Sequence, residues 1–242
     1  MMQPKEAIND FVIKFANVNG TGSASANGMF AKAIFRMGIP VSPRNIFPSN
    51  IQGLPTWYEV RISQDGYLGR RGGIDMMVSV NPQSFAKDVG EVEPGGYMLY
   101  DSTKPLDLRH VRRDIHYLGI PLTEMCLREY TDSRQRQLFK NVIYVGALSA
   151  LLNIDFAILK DLVSEQFKGK EKLITPNIHA LEMGHQYAST HFQCPLGIHL
   201  KAGEQTPKHI QEFDQILMDG NTATALGAVY AGATVAAWYP IT

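Results

Sequence analysis

Residues 11–18 (FVIKFANV) are almost all apolar, the pattern of a strand covered on both faces inside a parallel sheet rather than the alternation of a half-exposed one. This run feeds directly into a glycine-rich stretch, NGTGSASANG at 19–28. Beyond it Ala26, Met29, Phe30, Ala33, Ile34 and Met37 recur at the spacing of one helical face, and Gly38 is placed to close that helix. Further strands are expected at 57–62, 74–80, 97–100 and 115–120, with a short helix over 82–87. Such alternation predicts an α/β fold, a mostly parallel sheet with helices packed on it. In the second half the period changes. Residues 138–152 and 156–167 have helical spacing, separated by Asn153-Ile154-Asp155, and predict an antiparallel helical pair ending near Gly169.

The last residues, 220–242, read GNTATALGAVYAGATVAAWYPIT. A small, apolar run opened by Asn221 leads to Gly232 and then to an apolar strand that ends on Tyr239-Pro240-Ile241-Thr242 with no turn, charge or cap behind it. From 203 to 242 there is room for a linker, one helix and one strand, while mini-domains without disulfides become marginal below roughly 40 residues. The expectation is a main domain over 1–200, a polar linker over 201–219, and the start of a second, incomplete folding unit over 220–242.

Composition narrows the partners. The 23 Lys and Arg balance the 23 Asp and Glu, which removes a general attraction to nucleic acid or anionic lipid. No window approaches 18 uninterrupted apolar residues and the N-terminus, MMQPKEAIND, has no apolar signal core, so a cytoplasmic protein without a membrane span is expected. The two cysteines, Cys126 and Cys194, are far apart and lack C-x-x-C partners. Neither an iron–sulfur cluster nor a structural zinc can be assembled from them, and both read as small buried residues.

Several patterns invite chemistry. The turn Gly20-Thr21-Gly22-Ser23 stands where backbone amides at a helix N-terminus could meet a phosphate. It fails the dinucleotide fingerprint, with Ser25 in place of the third glycine and no acidic residue between Asp10 and Glu59 to hold a ribose. Arg109, His110, Arg112, Arg113 and His116 are concentrated enough to grip an acidic group, yet such runs are usually a solvated face. His179, His185 and His191 recur every six residues, which on a helix turns successive side chains about 120° apart, so no shared metal is expected. There is no nucleophile elbow, H-E-x-x-H or P-loop.

Two sets of motifs carry a resemblance. Asp219-Gly220-Asn221 with Ala223, followed by Tyr239, Pro240, Ile241 and Thr242, resembles the start of the pyrimidine-binding domain of thiamine-diphosphate-dependent 2-oxoacid:ferredoxin oxidoreductases. The glycine-rich first turn, IQGLPTWYEVRIS at 51–63, the strand from Ile74, a turn at Pro94-Gly95-Gly96 and KNVIYVGAL at 140–148 are similar to the gamma domain of the same enzymes. Gamma domain first and pyrimidine domain second is the order of the fused alpha subunits of 2-oxoglutarate-type enzymes, although the wording DGNTATA also resembles the pyruvate enzymes.

The resemblance implies a subunit inactive alone, acting with a beta subunit that carries thiamine diphosphate, magnesium and a [4Fe-4S] cluster in a hetero-oligomer. Coenzyme A would be the co-substrate and ferredoxin the electron acceptor. It further implies Thr242 as the residue touching the 2-oxoacid, and Gly20, Thr21, Gly22 and Ser23 as holders of a phosphate of coenzyme A, against a plain strand-to-helix turn. A pyruvate-type or other 2-oxoacid enzyme, and a non-catalytic α/β assembly module, remain the alternatives.

Overall fold

The computed structural model describes residues 3–48, 51–203 and 215–237, which divide into two compact units, Met1–Pro207 and Lys208–Thr242. The first unit is built on strands β1 (Ala7–Ile8), β2 (Asp10–Val18), β3 (Val41–Ile46), β4 (Pro55–Ser63), β5 (Ile74–Ser79), β6 (Val92–Asp101), β7 (His116–Ile120) and β8 (Ile198–His199). Its helices are α1 (Ser23–Arg36), α2 (Phe85–Glu91), α3 (Leu122–Glu129), α4 (Ser133–Leu151), α5 (Phe156–Gln166) and α6 (Glu171–His191).

Six strands form one sheet in the order β3-β4-β2-β5-β6-β7. The ladders β2–β5, β5–β6 and β6–β7 are parallel, while β2–β4 and β3–β4 are antiparallel. The mostly parallel α/β expectation therefore holds, with one correction at β2, which has a parallel neighbour on one side only. The edge strand β3 was not legible because VSPRNI lacks an apolar run, and Pro43 is tolerated there since an edge position needs no donor toward a neighbour. The Pro94-Gly95-Gly96 stretch is not a free turn. It lies inside β6 at a register shift, with Gly95 at φ 78°.

Alternation sorts β2 onto two faces. Phe11, Ile13 and Phe15 share one face with Tyr58, Val60, Ile62, Met76 and Val78, all buried. Phe15 meets Phe30 of α1 edge to face at 5.1 Å and Tyr144 of α4 at 5.8 Å. On the other face Val12, Ala16, Trp57, Met77 and Met98 pack with Val89 and Val92 around α2.

Helix α2 begins at Phe85 rather than at Pro82. The Asn81 side chain accepts from the Gln83 amide at 3.0 Å, which bends the chain into a side-chain-closed turn first. The helix is then anchored by Asp88. Trp57, Ala16 and Ser79 lie in one row across three strands, and the small Ala16 leaves space for Asp88 to accept from Trp57 Nε1 at 2.8 Å, Ser79 Oγ at 2.9 Å and Ser84 Oγ at 2.7 Å. Burial pushes this carboxyl up from its ordinary value, against the three hydrogen bonds. A raised folded-state value means that this group's stabilisation is full at low pH and is lost as pH rises through the folded pKa. Asp88→Asn should thus match or exceed the wild type in chemical denaturation at pH 7, with an advantage that shrinks on acidification. Asp88→Ala, leaving the indole N–H buried and unpaired, should lose about 1–3 kcal/mol.

The helical pair is also revised. The helix that lies along α4 is α6, and α5 packs on α1 and α6. The crossing is set by two glycines: a Cβ at Gly146 would stand 2.0 Å from the Leu181 carbonyl oxygen, and one at Gly184 1.9 Å from that of Ile143. Their bare Cα atoms let the two backbones approach.

In the second unit a further helix, α7 (Gly220–Tyr230), is opened by Asp219 rather than by Asn221: the Asp219 carboxylate accepts from the Thr222 amide at 2.9 Å and hydroxyl at 2.7 Å. Residues 233–237 carry no regular structure. The expected strand end at Tyr239, Pro240, Ile241 and Thr242 lies outside the described residues. Among the described residues no helix is long and apolar enough to cross a membrane.

Candidate functional site

The chain leaves β2 through α1 toward β3 on one side of the sheet and leaves β5 through α2 toward β6 on the other. The carboxyl ends of β2 and β5 therefore flank the point where the strand order reverses, the usual place for a ligand in an open α/β sheet. One wall there is the turn 19–22 leading into α1. Gly20 and Gly22 take φ of 84° and 77°, conformations that cost any residue with a Cβ. Gly22 occupies the N-cap position and no side chain caps the helix, so its first-turn amides, at the positive end of the helix dipole, have no side-chain cap.

Neighbouring segments define the rim. The Asn19 amide donates to the Leu54 carbonyl at 2.9 Å and the Gly53 amide to that of Asn19 at 3.1 Å, which lays residues 51–54 beside the turn. Gln52 covers Gly20, where a Cβ would fall 2.7 Å from its Cγ, and Leu138 covers Gly22 at 2.4 Å from its Cδ2. Ile51, Leu54 and Leu138 are all exposed. An apolar rim around uncapped amides suits a ligand with both a phosphate and an uncharged body.

The side chains of Thr21 and Ser23 are engaged within the fold. The Thr21 hydroxyl donates to the Val18 carbonyl at 2.7 Å, and Ser23 is buried. From α4, Asn141 Nδ2 donates to the Thr21 carbonyl at 2.8 Å. Under the turn lies a closed ring of hydrogen bonds: Tyr144 Oη donates to Asn27 Oδ1 at 2.7 Å, Asn27 Nδ2 to Asn17 Oδ1 at 3.0 Å, and Asn17 Nδ2 to Tyr144 Oη at 3.4 Å. Asn81 Nδ2, from the turn after β5, donates to the Asn17 carbonyl at 3.2 Å. At the end of β6, Asp101 accepts from Thr103 Oγ1 at 2.7 Å and from the Thr123 amide at 3.2 Å and its hydroxyl, with Lys140 Nζ 3.8 Å away. Burial opposes its charge, but these hydrogen bonds and Lys140 hold it below the ordinary carboxylate value.

Gly20, Thr21, Gly22 and Ser23, consecutive in the chain, form the turn at the switch point, while Thr242 lies outside the described residues. The other candidates disperse. Arg109 is exposed and chelates Asp107. Arg112 pairs with Asp114 and donates to the carbonyls of Val89 and Val92 at 2.9 and 2.7 Å, closing the end of α2. On α6, His185 Nδ1 stands 2.8 Å from Ser149 Oγ, which donates to the Gly146 carbonyl at 2.6 Å. The imidazole must then donate to the hydroxyl. His179 pairs with Glu129 at 2.9 Å and His191 stacks on Tyr187 at 4.0 Å. Among the described residues no group of three His, Cys, Asp or Glu could hold a metal ion. The Cys126 thiol is pushed up to about 11 by burial and stays protonated at neutral pH, whereas Cys194 is only partly buried. Sequence reasoning missed Asn17, Asn27, Asn81 and Tyr144, for they are distant in sequence and only the fold assembles them.

The chain is 24% identical over 96% of its length to subunit alpha of 2-oxoacid:ferredoxin oxidoreductase 2 from Aeropyrum pernix, and 23% identical over 98% to the 2-oxoglutarate oxidoreductase subunit KorA of Mycobacterium tuberculosis. It spans only 41% and 40% of those relatives' lengths. The fold is shared, with a TM-score of 0.79 and 24% identity, by a 2-oxoglutarate:ferredoxin oxidoreductase from Magnetococcus marinus solved with 2-oxoglutarate, coenzyme A and succinyl-CoA bound, over 93% of this chain and 37% of that one. The family model described as pyruvate ferredoxin/flavodoxin oxidoreductase matches residues 12–187, nearly the whole of the sheet and the helices around it. The chain therefore belongs to the pyruvate ferredoxin/flavodoxin oxidoreductase family.

Proposed function

We propose that this chain is part of a 2-oxoglutarate:ferredoxin oxidoreductase and that its own task at the switch point is to hold an anionic group of coenzyme A. The observation that carries the reading is the uncapped amino end of α1 behind Gly20 and Gly22, in a family one of whose similar structures was solved with coenzyme A. The residues present fit such a ligand: uncapped amides with no Cβ at Gly22 for a phosphate, and the exposed Ile51, Leu54 and Leu138 beside them for its uncharged part. Thiamine diphosphate, magnesium and a [4Fe-4S] cluster would supply the decarboxylation and the passage of electrons to ferredoxin, mainly from a partner beta subunit. Two cysteines, one held protonated by burial, do not fit four-thiolate ligation of a cluster in this chain.

Two measurements test the reading. In the complex of the full-length subunit with its partner, kcat/KM should favour 2-oxoglutarate over pyruvate, as the gamma-first domain order suggests; the substrate's second carboxylate then needs a cationic partner in the assembled site, since desolvating it unpaired would cost several kcal/mol. A preference for pyruvate moves the assignment to the pyruvate type. Thr242, matching the family's Y-P-I-T motif, is proposed to hydrogen-bond the 2-oxoacid. A hydroxyl on a charged carboxylate is worth about 1.5–3 kcal/mol, so Thr242→Val should lower kcat/KM for the oxoacid about ten- to a hundredfold. Unchanged turnover and KM would remove that role.

A further inference from the structure

Three buried side chains from three different elements close a ring beneath the glycine-rich turn: Asn17 near the end of β2, Asn27 in α1 and Tyr144 in α4. All three are within 2% of complete burial. In this ring each member donates once and accepts once, so removing one hydroxyl leaves both an acceptor and a donor without a partner, in a setting where linked hydrogen bonds reinforce one another. Burial also raises the Tyr144 hydroxyl's pKa, so it stays protonated and remains a donor. A purely apolar α1–α4 contact would fill this space at lower risk, as Phe15 and Phe30 do alongside it.

What the ring touches is specific. Asn17 is two residues from Asn19, the first residue of the turn, and its carbonyl receives Asn81 from the turn after β5. Asn27 lies in the helix that the turn opens. Three residues before Tyr144 on the same helix, Asn141 holds the Thr21 carbonyl directly. The turns after β2 and β5 at the switch point are thereby tied to α4 by hydrogen bonds that have direction, which apolar packing lacks.

We propose that Tyr144, acting through Asn27 and Asn17 and seconded by Asn141, is a positioning residue that fixes the Gly20–Ser23 amides in the shape that receives the coenzyme A anion. The inference rests on the coenzyme A reading above and deepens it. Tyr144 does not touch the ligand; it sets the direction of the backbone that does.

The test uses the assembled enzyme with full-length subunits and compares Tyr144→Phe, Asn141→Ala, Gly22→Ala and, as a control for stability loss at a buried residue outside both the ring and the turn, Leu159→Ala in α5. Tyr144→Phe should raise the KM for coenzyme A about tenfold, with kcat at saturating coenzyme A and the KM for 2-oxoglutarate changed less than twofold. Asn141→Ala should shift the same constant in the same direction, and it carries the test if Tyr144→Phe does not fold. Leu159→Ala should lower the melting temperature without moving the KM for coenzyme A. If Gly22→Ala raises that KM and neither Tyr144→Phe nor Asn141→Ala does, the ring is only structural and the inference is overturned while the site stands. If none of the three moves it, the coenzyme A reading itself is wrong and the inference falls with it.

Discussion

Gly184→Ala should be the most destabilising single-methyl change in the first unit, costing roughly 3 kcal/mol, the upper part of the range for overpacking a core. The added Cβ would stand 1.9 Å from the Ile143 carbonyl oxygen and 2.8 Å from the Ala147 nitrogen. Both are backbone atoms of α4, so no side chain can swing aside. The two helices would have to part, and the buried Leu181, Ala180 and Ala188 would lose contact with α4. The same applies in mirror form to Gly146→Ala against Leu181. At 2–4 °C per kcal/mol for a chain of this size the melting temperature should fall by about 6–12 °C. Gly28→Ala, in α1 with nothing near its would-be Cβ, should instead be neutral or stabilising, since alanine is the better helix former by about 1 kcal/mol. Calorimetry on the three variants checks both. A Gly184→Ala protein as stable as the wild type would mean that the α4–α6 crossing is not as close as described.

Gly22→Ala should have the largest effect on ligand binding for the smallest change in mass. At φ 77° a Cβ costs roughly 1–2 kcal/mol, and it would fall 2.4 Å from Leu138 Cδ2. That atom is the end of a flexible side chain, so the chain accommodates it by moving Leu138 or by relaxing the turn. Either response reaches the amides that open α1, because Leu138 lies against Gly22 and the turn is the proposed coenzyme A site. The expected result is a rise of about ten- to a hundredfold in the KM for coenzyme A, equivalent to about 1.4–2.8 kcal/mol, with kcat at saturation little changed. A variant that lost kcat and kept its KM would place the damage in the chemistry rather than in binding.

Much of the sheet was legible because its strands are apolar runs between turn residues. β2 reads as a strand from FVIKFANV alone, and the α1 face follows from the spacing of Ala26 to Met37. Legibility failed where tertiary context overrides local pattern. β3 is held as a strand by its ladder to β4 and its own sequence, with Pro43 and Arg44, gives no period-two signal. Proximity in sequence points to α5 as the partner of α4, while the cause of the α4–α6 crossing is a pair of glycines 38 positions apart in the chain. At the candidate site the turn itself was visible, since only glycine is at ease in its backbone. The ring of Asn17, Asn27 and Tyr144 was not: an asparagine in a strand or helix carries no mark of a buried partner until the fold supplies one.

The measurement closest to the central claim is a crystal structure of the assembled enzyme, full-length subunits included, with coenzyme A bound. The expected result is a phosphate oxygen of coenzyme A within about 2.7–3.2 Å of backbone amides in the Gly20–Ser23 turn or the first turn of α1, with its uncharged part against Ile51, Leu54 or Leu138. Well-ordered coenzyme A elsewhere in the enzyme, with no contact to this turn, would contradict it.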